Sequence, residues 1–252
     1  MAVTLPMLLT VCPLAFLAAI VDAIGGGGGL ISLPAYLLTG LPPALASGSN
    51  KMSACLGTLV ATGKFLRGGR LLVKPSLCAI AGALPGAYLG AELLQLCDPE
   101  IIRILLVVVI PLMALILLFK RNAPEQSAPM TAGRLWGCAG IGLACGLYDG
   151  FFGPGTGTLL IMGLTYLIGM DMITASGSAK LINLASNISA LVSLILGGEV
   201  LFALALPAAA FSIAGGYIGS YLAMRRGAKL IRYIMLGVLA LLIIRLIVQW
   251  FA

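Results

Sequence analysis

The chain has 252 residues, of which 61% are hydrophobic and 9% are charged, and its formal net charge is +7. A soluble domain of this length needs far more charge to cover its surface, so the composition excludes one and predicts an integral membrane protein. The basic residues stand in short loops between apolar segments, which favours a topology signal over a nucleic-acid interface.

Five helical segments are predicted in each half of the chain. Hydropathy and the positions of glycine and proline place segments A to E at about 4–24, 30–41, 44–63, 75–96 and 100–119. Segments A′ to E′ follow at about 133–151, 157–169, 172–196, 200–224 and 230–250. The predicted fold is an all-α polytopic membrane protein.

The second half repeats the first at an offset of 129 residues. Ser47-Gly48-Ser49 falls on Ser176-Gly177-Ser178, and Lys51 falls on Lys180. Such a duplication in a very apolar chain indicates a transporter built from two repeats. The domains are therefore a first transmembrane repeat, a polar cytoplasmic linker and a second transmembrane repeat, at 1–120, 121–131 and 132–252.

Segments B and B′ are too short to cross a bilayer as ordinary helices. Each has about 12 residues, whereas a spanning helix needs about 20, and glycines and prolines flank both. Interrupted segments at matching places in two repeats are typical of a transporter binding site near the midplane. Whether these broken helices cross or re-enter is open.

The basic residues predict that the two repeats are inverted. Lys64, Arg67, Arg70 and Lys74 place the loop between C and D in the cytoplasm. The equivalent loop of the second half has no Lys or Arg, and the cations there stand at the turn between D′ and E′ instead. An odd number of segments per half agrees with this inversion and predicts both chain termini outside.

Four charged residues interrupt the apolar segments. Asp22 and Asp149 lie near the ends of A and A′, and Lys51 and Lys180 near the starts of C and C′. A charge at the bilayer centre is unfavourable unless it is paired or wetted. Two interpretations are open: Asp–Lys pairs that hold helices together, or lysines that face an anion while the aspartates balance charge or relay protons.

A glycine-rich stretch follows each aspartate. Gly25–Gly29 come after Asp22, and Gly153, Gly155 and Gly157 come after Asp149. Glycine lets backbone N–H groups turn toward a ligand, and this favours an oxyanion; close helix packing is the alternative explanation. The glycines predicted to contact substrate are Gly26, Gly28, Gly155 and Gly157.

Polar residues form a stripe on segment C′. Ser176, Lys180, Asn183 and Asn187 share one helical face. The first half has a thinner version in which the predicted substrate contacts are Ser47, Asn50 and Lys51. Such a stripe either joins helices or lines a pathway.

No metal site or cofactor is expected, because the chain has no His and its six cysteines form no CxxC pair. Two glycine pairs, Gly86/Gly90 and Gly215/Gly219, predict close helix packing. That packing can occur within one chain or between the chains of a homodimer, and both are open.

The motifs that carry the charges resemble the TauE/SafE (sulfite exporter) family, and most closely its YfcA-like branch. The similar stretches are Asp22–Pro34 (DAIGGGGGLISLP), Asn50-Lys51, Tyr148–Gly157 (YDGFFGPGTG) and Ala179–Asn187 (AKLINLASN). The resemblance implies a permease of the bacterial cytoplasmic membrane that moves sulfite, thiosulfate or sulfonates, coupled to an ion gradient. The residues that the resemblance implies for the lining of the transport site are Asp22, Gly25 to Gly29, Asn50, Lys51, Asp149, Gly153, Gly155, Lys180, Asn183 and Asn187.

The predicted function is secondary transport of small sulfur-containing oxyanions, with the anion and the lipid bilayer as partners and no nucleic acid. Without His, a proton relay must use Asp22, Asp149, Asp171 or water. An uncoupled channel or facilitator of the same architecture is the alternative. An enzyme is not expected, because no Ser-His or His-Glu set exists.

Overall fold

The computed structural model describes residues 3–102, 104, 108 and 126–226. Most of segment E, all of segment E′ and residues 121–125 of the linker lie outside these ranges. The described helices of the first half are α1 Leu5–Gly25, α2 Gly29–Leu37, α3 Pro43–Arg67 and α4 Val73–Leu96. Those of the second half are α5 Ala132–Phe151, α6 Thr156–Met162, α7 Met172–Leu196 and α8 Phe202–Arg226, with a π-helical turn over Gly163–Leu167 directly after α6.

Four of the described helices, α1, α4, α7 and α8, are long and apolar enough to cross a membrane. Helix α3 has the same length as α7, but it contains fewer Leu and Ile residues and carries Lys64 and Arg67, so its hydropathy is lower. The protein is an all-α, multi-pass membrane protein, as the composition predicted. The direction in which each half crosses the membrane, and with it the inversion, stays a prediction.

The short helices α2 and α6 lie inside the protein. Helix α1 ends at Gly26, whose left-handed backbone (φ 76°) suits glycine, and Gly155 (φ 83°) has the same conformation before α6. Each short helix then packs within a buried apolar cluster, around Leu30 and Tyr36 for α2 and around Leu160 and Leu164 for α6. The broken backbone is thus shielded from lipid, as the bilayer requires.

Two predicted boundaries are wrong. Segment B was expected to reach residue 41, but α2 ends at Leu37 because Gly40 (φ 81°) and the prolines beyond it do not continue the helix. Segment C was expected to end at 63, but α3 continues to Arg67. Lys64 and Arg67 lie in its last turn, where cations interact favourably with the helix dipole.

The two halves contact each other through equivalent positions. Gly48 packs on the carbonyl of Glu199, and Gly177 packs on the carbonyl of Arg70. The Leu201 amide donates a hydrogen bond to Ser49 Oγ (2.9 Å), and the Leu72 amide donates one to Ser178 Oγ (3.1 Å). Every residue in one set is 129 positions from its counterpart in the other. The loop after the long polar helix of each half therefore closes on the start of that helix in the other half.

The paired glycines pack within the chain. Gly86 and Gly90 of α4 contact the α5 backbone, and Gly215 and Gly219 of α8 contact the α1 backbone. A Cβ on Gly86 would lie 2.5 Å from the Leu143 carbonyl oxygen. Small residues let these helix backbones approach closely, so the predicted packing role is confirmed inside one chain.

Candidate functional site

A cavity lies where α1 and α5 end, the short helices begin, and α3 and α7 pass. Its volume is about 50 Å³, measured as the space open to the centres of water-sized molecules. On that measure one water needs about 10–15 Å³, so the cavity has room for roughly four waters or one small anion. The polar and glycine residues of its wall are Asp22, Gly26, Gly28, Gly29, Ser32, Asn50, Lys51, Ser53, Gly57, Thr58, Asp149, Gly153, Gly157, Asn183, Asn187 and Ser212.

Two ion pairs lie at this cavity, and three of their four residues line its wall. Lys51 Nζ lies 2.8 Å from Asp149 Oδ2, and Lys180 Nζ lies 2.8 Å from Asp22 Oδ2. Each pair joins a lysine of one half to an aspartate of the other half. Pairing is how a protein keeps charges stable inside a membrane, so both lysines are neutralised in this structure.

The two pairs differ in their surroundings. Asp149 is 2% exposed and also accepts a hydrogen bond from Ser186 Oγ (2.7 Å), whereas the side chain of Asp22 is 19% exposed. Lys180 is fully buried behind Asp22, while Lys51 stands on the cavity wall. Both aspartates line the cavity, and the Asp22 carboxylate is the more exposed of the two.

The two glycine stretches touch each other at the cavity. A Cβ on Gly157 would lie 2.6 Å from Gly26 Cα, so only glycine permits this approach. Thr158 Oγ1 donates a hydrogen bond to the Gly25 carbonyl oxygen (2.8 Å) and fixes the contact. Close packing, one of the two explanations offered for these glycines, therefore holds here, while the contact of their N–H groups with an oxyanion stays a prediction.

Most of the residues predicted to form the site reach the cavity wall. They are Asp22, Gly26, Gly28, Asn50, Lys51, Asp149, Gly157, Asn183 and Asn187. Four others stand outside the wall. Ser47 is buried in α3, Ser176 Oγ donates to the Met172 carbonyl of its own helix (2.8 Å), Gly155 forms the turn before α6, and Lys180 lies behind Asp22.

A model of the family described as sulfite exporter TauE/SafE matches residues 11–246. The chain belongs to the sulfite exporter TauE/SafE family. It is 35% identical to a probable membrane transporter protein of Haemophilus influenzae over 217 residues, which cover 86% of this chain and 85% of that protein. It is likewise 35% identical to the probable membrane transporter protein YfcA of Escherichia coli K12, over 86% of this chain and 81% of the relative.

A probable membrane transporter protein, ORF9, of a Sinorhizobium species is 32% identical over 233 residues, which cover 92% of this chain and 89% of that protein. No solved structure matches the chain. The family, and the similarity to YfcA, are those that the motifs predicted. The chain is a membrane transporter of the TauE/SafE family.

Sequence reasoning missed some contributors to the TauE/SafE site. Ser212 lines the cavity from α8, where the surrounding sequence is apolar and gives no signal. Ser186, the hydrogen-bond donor to Asp149, stands directly beside Asn187 in the polar stripe. Its position beside that stripe was the available signal, but the sequence does not show which carboxylate it contacts.

Asp171, considered above for a proton relay, caps a helix instead. Its Oδ1 accepts a hydrogen bond from the Thr174 amide (3.0 Å) at the start of α7, and its Oδ2 accepts one from Ser127 Oγ (2.7 Å). Burial alone would raise the pKa of Asp171, but these hydrogen bonds together outweigh it and hold the pKa below its usual value. Asp171 is thus an ionised N-cap away from the cavity.

Proposed function

We propose that this TauE/SafE protein is a secondary transporter of small sulfur-containing oxyanions, such as sulfite, thiosulfate or an organosulfonate, and that transport is coupled to protons. It resides in the bacterial cytoplasmic membrane with both termini outside and catalyses no reaction on its substrate. The family description, sulfite exporter, supports the substrate class. The transporter names of the relatives support the assignment to transport.

The observation that carries the proposal is the pair of ion pairs at one small cavity. Lys51 supplies a cation on the wall, and the amides of Asn183 and Asn187 supply neutral hydrogen-bond donors. Oxyanions are bound by such sets of charged and amide donors. An apolar solute would leave these polar groups without partners.

Coupling follows from the charge balance of the cavity. The charges of the two lysines and two aspartates sum to zero, so an added anion leaves one negative charge uncompensated inside the membrane. A proton on Asp22 restores neutrality, and Asp22 is the more exposed of the two aspartates. Anion and proton are therefore bound together more readily than either one alone.

The binding role is tested by flux of radiolabelled sulfite and thiosulfate into proteoliposomes. Replacing Lys51 by Met should lower the flux at least about tenfold, which is the size of one lost charge-assisted hydrogen bond. Lys74→Met removes a lysine at the exposed start of α4 and is the matched control, with wild-type flux expected. Unchanged flux in folded Lys51→Met and Lys180→Ala proteins contradicts the proposal.

The same vesicles separate a coupled transporter from an uncoupled facilitator. An imposed proton gradient should accelerate anion accumulation in the wild-type protein. A facilitator would ignore the gradient, and its flux would persist when Asp22 and Asp149 are both replaced by Asn.

A further inference from the structure

Asn50 carries a buried hydrogen-bond acceptor without a donor. The residue lies on α3 directly before Lys51, is 9% exposed and forms part of the cavity wall. Within the described part of the chain, its Oδ1 atom has no hydrogen-bond partner. Buried polar atoms are nearly always satisfied in folded proteins, so this oxygen points to an occupant of the cavity that donates a hydrogen bond.

The buried charges limit the charge of that occupant. Lys51, Lys180, Asp22 and Asp149 already neutralise one another, and no other charged residue of the described ranges lines the cavity. A dianion would leave two negative charges uncompensated in a medium of low dielectric constant, and a monoanion leaves one. The site therefore discriminates against dianions.

We propose that the transported species is a monoanion that carries its own hydrogen-bond donor. Its O–H or N–H group donates to Asn50 Oδ1, and its oxygens face Lys51 and the amides of Asn183 and Asn187. This rests on the proposed function and narrows its substrate class. Among simple sulfur oxyanions, hydrogensulfite fits this description, whereas sulfate and thiosulfate are dianions near neutral pH.

Three anions of similar size test separately the requirement for a single negative charge and the requirement for a hydrogen-bond donor. Sulfamate and methanesulfonate are nearly isosteric monoanions that share a sulfonate group, and they differ in bearing an amino group or a methyl group. Sulfate has the same tetrahedral shape with two charges. Each is small enough for a cavity of roughly four waters.

The experiment measures dissociation constants of these anions by isothermal titration calorimetry with the purified full-length chain at about neutral pH. Sulfamate should bind about tenfold more tightly than methanesulfonate, the effect of one hydrogen bond to a buried acceptor. Sulfate should bind at least about tenfold more weakly than methanesulfonate. Asp22→Asn removes one negative charge and should reduce the penalty on sulfate.

Asn50→Leu tests the acceptor directly, because it keeps the approximate volume and removes the oxygen. The ratio of sulfamate to methanesulfonate affinity should fall to about one. Thr62→Val is the matched control, since Thr62 Oγ1 is another buried oxygen on α3 without a partner in the described chain and lies off the cavity wall. This variant should keep the wild-type ratio.

Equal wild-type affinities for sulfamate and methanesulfonate, or tighter binding of sulfate, overturn the inference, and this comparison needs no variant to fold. If that result comes with sulfite flux in proteoliposomes, the proposed function stands and only the substrate class is wrong. Absence of flux and binding for every sulfur oxyanion contradicts the proposed function itself.

Discussion

The two lysine–aspartate pairs match in chemistry and differ in environment. Both have a separation of 2.8 Å and both join the two halves of the chain. Both aspartates line the cavity, but Asp149 is 2% exposed and accepts a second hydrogen bond from Ser186, whereas Asp22 is 19% exposed. The two equivalent ion pairs of the repeats thus differ: one is buried and carries an additional hydrogen bond, and the other is more exposed.

One position accounts for the additional hydrogen bond on Asp149. Ser186 of α7 is the counterpart of Gly57 of α3 at the offset of 129 residues. The serine places a hydroxyl on Asp149, whereas the glycine has no side chain to donate to Asp22 and packs against α8, where a Cβ would lie 2.8 Å from the Ser212 carbonyl oxygen. In the described structure the repeats therefore differ in whether the aspartate accepts a second side-chain hydrogen bond.

The largest expected effect compares the aspartates directly. Asp149→Asn should destabilise the protein by about 3–5 kcal/mol, because it leaves the Lys51 ammonium buried without a counter-charge. Asp22→Asn should lower the stability by less, since Asp22 is 19% exposed and solvent screens its attraction to Lys180. Unfolding of both variants in detergent gives the two values, and equal losses would show that the pairs do not differ as described.

A smaller effect is expected when the second donor to Asp149 is removed. Ser186→Ala deletes a hydrogen bond of 2.7 Å to a buried carboxylate and should cost about 1.5–3 kcal/mol. Ser176→Ala is the control, because that hydroxyl bonds only to the backbone of its own helix and the described structure shows no other partner for it. The same unfolding assay should show a larger loss of stability for Ser186→Ala than for Ser176→Ala. Equal losses would show that the hydrogen bond from Ser186 does not stabilise the buried Asp149 carboxylate.

The smallest effects should be equal in the two halves. Ser49→Ala and Ser178→Ala each delete one hydrogen bond from a backbone amide of the other half, and each should cost about 1 kcal/mol. Melting temperatures of the two variants should shift by the same amount. A large difference would mean that the asymmetry extends beyond the ion pairs to the reciprocal loop contacts.

Sequence reasoning predicted the helical segments and the charged residues of the site because both leave direct signals. Asp22 and Lys51 stand out in apolar surroundings, and the glycine stretches mark the breaks before α2 and α6. The partner of each charge was not predictable, since the pairing of Lys180 with Asp22 depends on how the two halves pack.

The sequence also did not show which of the polar side chains would reach the cavity wall. Helical spacing put Ser176 on the face of Asn183, but its hydroxyl is satisfied by its own backbone. Ser212 shows the opposite case, because a lone serine in an apolar helix becomes part of a site only through its neighbours.

The pH dependence of flux tests most directly whether Asp22 is the carboxylate that gains and loses the coupled proton. Flux of sulfamate, a monoanion whose charge does not change near neutral pH, should rise as pH falls in proteoliposomes of the wild-type protein, by up to about tenfold per pH unit for one coupled proton. Asp22→Asn should give flux that no longer varies with pH, while Asp171→Asn, which changes a carboxylate away from the cavity, should keep the wild-type profile. An Asp22→Asn protein that retains the wild-type pH profile would contradict the account.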